Sequence, residues 1–127
     1  MNTIHLVALL AVLEYLAFTV LVGRARMQGR VMAPSTAGDE AFNRAFRVQQ
    51  NTLEQIVAFL PALLIAGLYW PQAAVAGIGA VWLAGRLLYR QQYMKNPASR
   101  APGFMLTLLP TLALTLMSLW GVLAGGR

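Results

Sequence analysis

Four apolar stretches, each long enough to cross a lipid bilayer, constrain this chain more than any other feature of its sequence. A helix of about 20 apolar residues spans the hydrocarbon core of a membrane. The stretches lie at about residues 4–23, 42–69, 72–93 and 101–123. With 58% hydrophobic and 11% charged residues, the chain is also too apolar for an ordinary soluble fold. The sequence therefore predicts one all-α transmembrane domain, residues 1–127, folded as an integral membrane four-helix bundle.

The residue counts exclude several kinds of site. The chain has no cysteine and a single histidine, His5, which excludes disulfides, a cysteine nucleophile and a thiolate or histidine-rich metal site within one chain. The net charge of +6 would suggest nucleic acid as the partner of a soluble protein. Here the basic residues lie between apolar runs, so lipid headgroups or an anionic small molecule are the better interpretation. We expect no metal and no nucleic-acid partner.

The distribution of basic residues predicts the orientation of the chain in the membrane. By the positive-inside rule, connections rich in lysine and arginine stay in the cytosol. Of the ten basic residues, all but Arg127 flank the first or the third connection. These residues are Arg24, Arg26, Arg30, Arg44, Arg47, Arg86, Arg90, Lys95 and Arg100. We therefore expect both termini to face away from the cytosol. The compact loops fit a bacterial inner membrane, with an organelle membrane as the alternative.

Polar side chains within the second apolar stretch mark a candidate site. Arg47, Asn51 and Glu54 are spaced i, i+4 and i+7, which places them on one face of a helix. An asparagine and a glutamate are costly to hold in hydrocarbon. In a membrane helix they therefore indicate a functional site.

A second set of polar residues follows on the third and fourth helices. Arg86, Tyr89 and Tyr93 are spaced i, i+3 and i+7 on one face of the third helix. Arg100 lies at the start of the fourth helix, whose N-terminal partial charge adds to its own, and Arg26 ends the first helix at the same level. In an antiparallel bundle these helix ends are neighbours. Such a cluster suits a zwitterionic or anionic molecule, and Arg100 could hold a thiol as its nucleophilic thiolate.

Structural interpretations compete with this site. Tyrosines near a membrane interface often belong to aromatic belts, and Arg47 with Glu54 could form no more than a structural ion pair. Glu14, in the middle of the first helix, is better interpreted as a protonated or internally hydrogen-bonded carboxyl at a helix contact than as a catalytic group. Arginines at helix ends usually anchor a protein to headgroups, which is the interpretation for Arg24, Arg30, Arg44 and Arg90.

Two segments of the sequence carry a resemblance to a known family. They are FNRAFRVQQNTLEQIVAFLPALL in the second helix and AGRLLYRQQYMKNPASR across the third helix and the following loop. In these segments the chain resembles the MAPEG superfamily, the membrane-associated proteins of eicosanoid and glutathione metabolism. The similarity is to the branch with leukotriene C synthase and microsomal glutathione transferases. The order and spacing of the site residues from Arg47 to Arg100 match that branch without a gap.

The resemblance implies a homotrimer that binds glutathione as co-substrate between adjacent subunits on the cytosolic side. It implies that Arg100 stabilises the thiolate and that a lipophilic electrophile enters from the membrane lipid. The activity implied is that of a glutathione transferase, with reduction of lipid hydroperoxides as a companion reaction. Arg86 is added to the residues predicted to bind glutathione because it shares a face of the third helix with Tyr89 and Tyr93. The other residues implied to contact glutathione are Arg47, Asn51, Glu54, Tyr89 and Tyr93, with Arg26 and Gln49 contributed by the neighbouring subunit.

Two positions depart from the pattern of that branch. Gln55 replaces a tyrosine directly after the glutamate of the second helix, and Met27 replaces a second arginine at the end of the first helix. These departures leave the electrophile open, whereas Arg100 is retained. The alternative function is a non-catalytic lipid-binding or scaffold protein of the same fold. A small transporter or channel subunit is a third class, which the gathering of polar residues at one membrane face disfavours.

Overall fold

A computed structural model describes residues 2–125, which fold into four long helices. These helices are α1 (Thr3–Gln28), α2 (Glu40–Tyr69), α3 (Gln72–Lys95) and α4 (Ala101–Trp120). A 3₁₀ turn, Pro97–Ser99, precedes α4, and a π-helical turn, Gly121–Gly125, continues it. All four helices are long and apolar enough to cross a membrane, so the predicted all-α fold with four such helices is confirmed. Arg127, the basic residue predicted on the opposite side, lies outside the described residues.

The helices continue beyond the apolar runs that predicted them. α1 ends at Gln28 rather than near Gly23, and α3 ends at Lys95 rather than at Tyr93. The hydropathy of a sequence falls where a helix leaves hydrocarbon, but its backbone hydrogen bonds continue as long as the geometry allows. The basic residues at the end of α1 are therefore carried on a rigid helix that projects beyond the apolar span.

Side-chain caps define where α1 and α2 begin. Asn2 Oδ1 accepts hydrogen bonds from the backbone N–H groups of Ile4 and His5, at 3.0 and 3.1 Å. Asp39 Oδ2 accepts one from the backbone N–H of Phe42 at 3.1 Å. Each cap satisfies donors that have no partner within the first turn of a helix. The polar segment after α1 therefore ends at a well-defined helix start.

The connection between α1 and α2 is folded against the ends of both helices. Arg26 Nη1 donates to the backbone carbonyls of Ser35 at 2.8 Å and Val31 at 3.3 Å. The Arg26 guanidinium also lies over the ring of Phe42, 4.6 Å from its centroid. Val31 and Phe42 belong to a buried apolar cluster at this end of the bundle. Within a single chain, Arg26 therefore ties the connection to α2.

Packing of the four helices leaves an aromatic pair at the centre of the bundle. α1 and α4 each pack against both α2 and α3, and α2 and α3 also contact each other. The rings of Phe59 and Trp82 stack with their centroids 4.2 Å apart. Leu63, Val75 and Leu114 are fully buried beside them. Many leucines on the outer helix faces remain exposed, which fits contact with lipid chains.

Candidate functional site

One cavity of about 640 Å³ gathers five of the nine predicted site residues. It lies beside the 3₁₀ turn, where the first part of α2, the end of α3 and the start of α4 meet. Cations, an amide, phenols and apolar carbons share its surface, a mixture that suits a small molecule with anionic and amide groups. The lining residues are Arg47, Asn51, Tyr89, Tyr93, Ala98, Arg100, Ala101 and Phe104.

Two glycines allow α3 and α4 to approach closely at this end of the bundle. A Cβ atom on Gly103 would lie 2.5 Å from the Cα and N atoms of Tyr89, and one on Gly85 would lie 2.8 Å from the backbone of Leu106. Real Cβ atoms essentially never come within 3.0 Å of another heavy atom. These contacts hold the start of α4, and with it Arg100, against the tyrosine-bearing face of α3.

Arg100 is the N-cap residue of α4. Its Nη1 donates to the backbone carbonyl of Pro97 at 2.9 Å, and its own carbonyl accepts from the N–H of Phe104 at 3.0 Å. The side chain is exposed and forms no ion pair with any other residue in 2–125. Since a helix N-terminus carries partial positive charge, the guanidinium and the start of α4 both favour an anion in this cavity.

Tyr89 and Tyr93 form one wall of the cavity. Their rings stack with centroids 5.6 Å apart and an interplanar angle of 11°. Phe104, from α4, meets the ring of Tyr89 at 6.5 Å. The two tyrosines, four residues apart on α3, supply a flat apolar surface together with two hydroxyl groups.

Arg86 lies beneath the cavity and is fully buried, so it does not line the surface that a ligand would touch. Its Nη2 donates to Asn51 Oδ1 at 2.9 Å and to Thr52 Oγ1 at 2.8 Å, and its Nη1 donates to Thr107 Oγ1 at 3.1 Å. Its guanidinium also lies 4.4 Å from the centroid of the Tyr89 ring. Arg86 therefore joins α2, α3 and α4 and orients two residues of the cavity wall.

The hydrogen bond from Arg86 decides how the amide of Asn51 faces the cavity. Asn51 Oδ1 accepts that bond, which leaves the Nδ2 group as the end of the amide free to donate to a ligand. Asn51 can therefore bind a carbonyl or carboxylate oxygen.

Comparison with known proteins assigns the family. The sequence profile of the MAPEG family matches residues 4–120. The chain belongs to the MAPEG family. It is 42% identical over 118 residues to an uncharacterized protein of Synechocystis sp., a match that covers 93% of this chain and 86% of the relative. The resemblance seen in the second and third helices is thus confirmed.

Two further relatives carry the names of enzymes. The chain is 34% identical over 116 residues to microsomal glutathione S-transferase 2 of Homo sapiens, which covers 91% of this chain and 79% of the relative. It is 39% identical over 94 residues to leukotriene C4 synthase of Cavia porcellus, which covers 74% of this chain and 63% of the relative. With four apolar helices and this family membership, the protein is an integral membrane protein.

Besides Arg86, three of the predicted site residues do not line the cavity in the single MAPEG chain. Glu54 is exposed on α2. Gln49 is buried, and its Nε2 donates to Thr19 Oγ1 on α1 at 3.0 Å. Arg26 is bound to the α1–α2 connection. Within residues 2–125 Glu54 forms no ion pair with Arg47, so the structural pair that their spacing left open is not formed.

The sequence analysis missed residues that hold this MAPEG site together. Thr52 and Thr107 accept hydrogen bonds from Arg86, and Gly103 admits the backbone of Tyr89. Threonine and glycine are common in apolar membrane helices, so neither type stands out there. One signal was the i, i+4 spacing of Gly103 and Thr107, which places them on the same face of α4.

Glu14 lies at a contact between α1 and α3, as the sequence predicted, and does not line the candidate site. Its Oε1 is buried without a hydrogen-bond partner among residues 2–125, so the predicted internal hydrogen bond is not formed by that oxygen. No group of three or more His, Cys, Asp or Glu residues that could hold a metal ion is found in the described part of the chain.

Proposed function

We propose that this protein is a membrane-bound glutathione transferase that conjugates the thiolate of glutathione to lipophilic electrophiles. The similarity to microsomal glutathione S-transferase 2 supports this class of activity. The observation that carries the proposal is the 640 Å³ cavity in which Arg47, Arg100 and the start of α4 surround one space. A tripeptide with two carboxylates is a good match for such a cationic cavity.

Arg100 is the residue that would activate the thiol. A thiolate is a far stronger nucleophile than a thiol, so the site must favour loss of the S–H proton to water. The guanidinium and the α4 N-terminus both stabilise the negative sulfur. The sulfur then attacks an electrophilic carbon: an S–C bond forms, the bond to the leaving group breaks, and the leaving group takes the electron pair.

The other lining residues would hold glutathione in place. Arg47 forms no ion pair within residues 2–125 and would bind a carboxylate through two parallel hydrogen bonds. Asn51 would donate its amide N–H to a peptide carbonyl, and Tyr89 and Tyr93 would pack along the peptide. Arg86 would act through Asn51 and Tyr89, as a positioning residue.

The proposal includes a homotrimer in which each glutathione site is shared by neighbouring subunits. An exposed glutamate on a membrane helix is costly unless it is covered or paired, which fits Glu54 binding the amino group of glutathione at a subunit contact. Arg26 and Gln49 of the neighbouring subunit would complete the site. The electrophile would enter sideways from the lipid, and the same thiolate would reduce lipid hydroperoxides. The site would face the cytosol, on the side where the positive-inside rule places the basic connections.

An ultraviolet difference titration of the detergent-purified protein with glutathione tests the activation of the thiol. We expect a saturable thiolate absorbance near neutral pH in the wild type. The Arg100→Ala variant should reduce that signal about tenfold, the effect of losing one interaction with a charged group. Lys95→Ala is the matched control, because Lys95 is an exposed cation at the same end of the bundle that does not line the cavity.

The rate of conjugation gives a second measurement on the same variants. With chlorodinitrobenzene as the electrophile, Arg100→Ala should lower turnover more than glutathione affinity, since the interaction strengthens as the thiolate forms. A folded Arg100→Ala protein with wild-type absorbance and wild-type rate would refute the role of Arg100. A folded wild-type protein that binds a fatty acid derivative but gives no thiolate signal would support the non-catalytic lipid-binding alternative.

A further inference from the structure

A second cationic pocket lies where α1, α2 and α3 meet. Its volume is about 270 Å³, and Arg24 and Arg90 contribute its positive charge while Leu21 and Met94 contribute apolar walls. It lies at the same end of the bundle as the glutathione site proposed above but shares no lining residue with it. We call it the upper pocket.

Arg90 lacks the partner that a buried guanidinium nitrogen needs. Its Nη1 atom is buried and has no hydrogen-bond acceptor among residues 2–125, although the guanidinium lies 5.7 Å from the centroid of the Phe18 ring. A buried donor without an acceptor is costly, and a charged one more so. The upper pocket therefore lacks an acceptor beside Arg90.

No carboxylate among residues 2–125 supplies that acceptor. None of the four acidic residues lines the upper pocket. Asp39 caps α2 and Glu40 is paired with Arg44, whereas Arg24 has neither a hydrogen bond nor an ion pair within residues 2–125. Two arginines without a counterion at a membrane interface favour an anion from outside the chain.

A separate, mostly apolar cavity lies about one helical turn from the upper pocket along α1 and α3. This lower pocket, of about 370 Å³, is bounded by Leu83 and Leu87 of α3 and by Leu10, Leu13, Glu14 and Ala17 of α1. Leu87 and Leu83 follow Arg90 at helical spacing, so Leu83 lies about 10 Å deeper in the membrane span at 1.5 Å per residue. The exposed sides of Leu13 and Leu87 open the lower pocket to the surrounding lipid.

We propose that the two pockets form one groove that binds an anionic phospholipid. The headgroup phosphate would accept hydrogen bonds from Arg90 and Arg24 in the upper pocket, and an acyl chain would lie along the leucines of the lower pocket. The positively charged choline of a zwitterionic lipid would lie near Arg24 and be repelled by its charge. The groove therefore selects anionic over zwitterionic phospholipid.

Native mass spectrometry of the intact detergent-purified protein, with added short-chain lipid, tests the groove. We expect one dioctanoyl phosphatidylglycerol per chain, bound about tenfold more tightly than dioctanoyl phosphatidylcholine, because both lipids carry the phosphate but only the choline cation is repelled by Arg24. Arg24→Gln should remove most of that preference, because Arg24 is the group that the choline meets, whereas Arg90→Gln should weaken the binding of both lipids, because both carry the phosphate. Arg30→Gln is the matched control, since Arg30 is an exposed arginine at the same end of the bundle but outside the groove, and it should bind like the wild type.

Several results would overturn this proposal. One is that the wild type binds the two lipids with equal affinity. Another is that both variants, Arg90→Gln and Arg24→Gln, bind the two lipids as the wild type does. Displacement of the lipid by inorganic phosphate at a similar concentration would show a site for a free anion instead. If Arg90→Gln changes the number of chains in the particle and leaves lipid binding intact, a second copy of the chain occupies the groove. If Arg90→Gln does not fold, Arg24→Gln alone tests the proposal, because the side chain of Arg24 is exposed and its replacement should not disturb folding.

Discussion

Replacing Gly103 by alanine should move the start of α4 away from α3 and displace Arg100 from the candidate site. The new Cβ would lie 2.5 Å from the Cα and N atoms of Tyr89, whereas ordinary contacts begin at 3.4 Å. Both of these obstructing atoms belong to the backbone, so no rotation of a side chain relieves the clash. The helices must separate by about 1 Å, and a misplacement of that size in an active site can lower a rate by about 100-fold.

Gly77→Ala is the matched control for this substitution. Gly77 also lies within a membrane helix, and nothing approaches within 4 Å of the position its Cβ would take. There alanine should be neutral or stabilise the protein by about 0.5–1 kcal/mol, because glycine loses more conformational entropy on folding. At position 103 the overpacking should instead destabilise the protein by about 1–3 kcal/mol.

Two measurements on both variants distinguish the outcomes. They are the turnover of chlorodinitrobenzene at saturating glutathione and the midpoint of thermal unfolding in detergent. We expect Gly103→Ala to lose most of its turnover and to unfold at a lower temperature than Gly77→Ala. Equal rates and equal midpoints for the two variants would refute the inference that the Gly103–Tyr89 contact positions Arg100.

Three further predictions follow from other contacts. Arg86→Leu removes the hydrogen bond that orients Asn51 and should weaken glutathione binding about tenfold in calorimetry; wild-type affinity would contradict the positioning role. Trp82→Ala deletes a fully buried, stacked ring and should cost about 3–5 kcal/mol, read from thermal unfolding; an unchanged midpoint would show that the pair is not central to stability. Asp39→Ala removes the cap of α2 and should cost about 1 kcal/mol, measured as faster amide hydrogen exchange at Phe42. Asp39→Asn keeps a hydrogen-bond acceptor, so exchange at Phe42 as fast as in Asp39→Ala would contradict the capping role.

The sequence by itself determined the class of the protein and the places of its four helices. An apolar run of this length must satisfy its backbone hydrogen bonds within itself when it lies in lipid, and a helix does so. The sequence also determined which polar residues share a helix face, since that depends only on the 3.6-residue turn. Arg47 with Asn51, and Tyr89 with Tyr93, therefore came together on one cavity as their spacing predicts.

Only the tertiary structure decided how deep each polar side chain lies. Arg86 shares a helix face with Tyr89, and the sequence analysis placed both in the predicted binding set, yet Arg86 is buried under the cavity and bound to Thr107 of α4. Periodicity specifies the direction in which a side chain leaves its own helix axis. Its depth depends on how closely the next helix approaches, and that distance is set by contacts such as Gly103 against Tyr89, between residues on different helices.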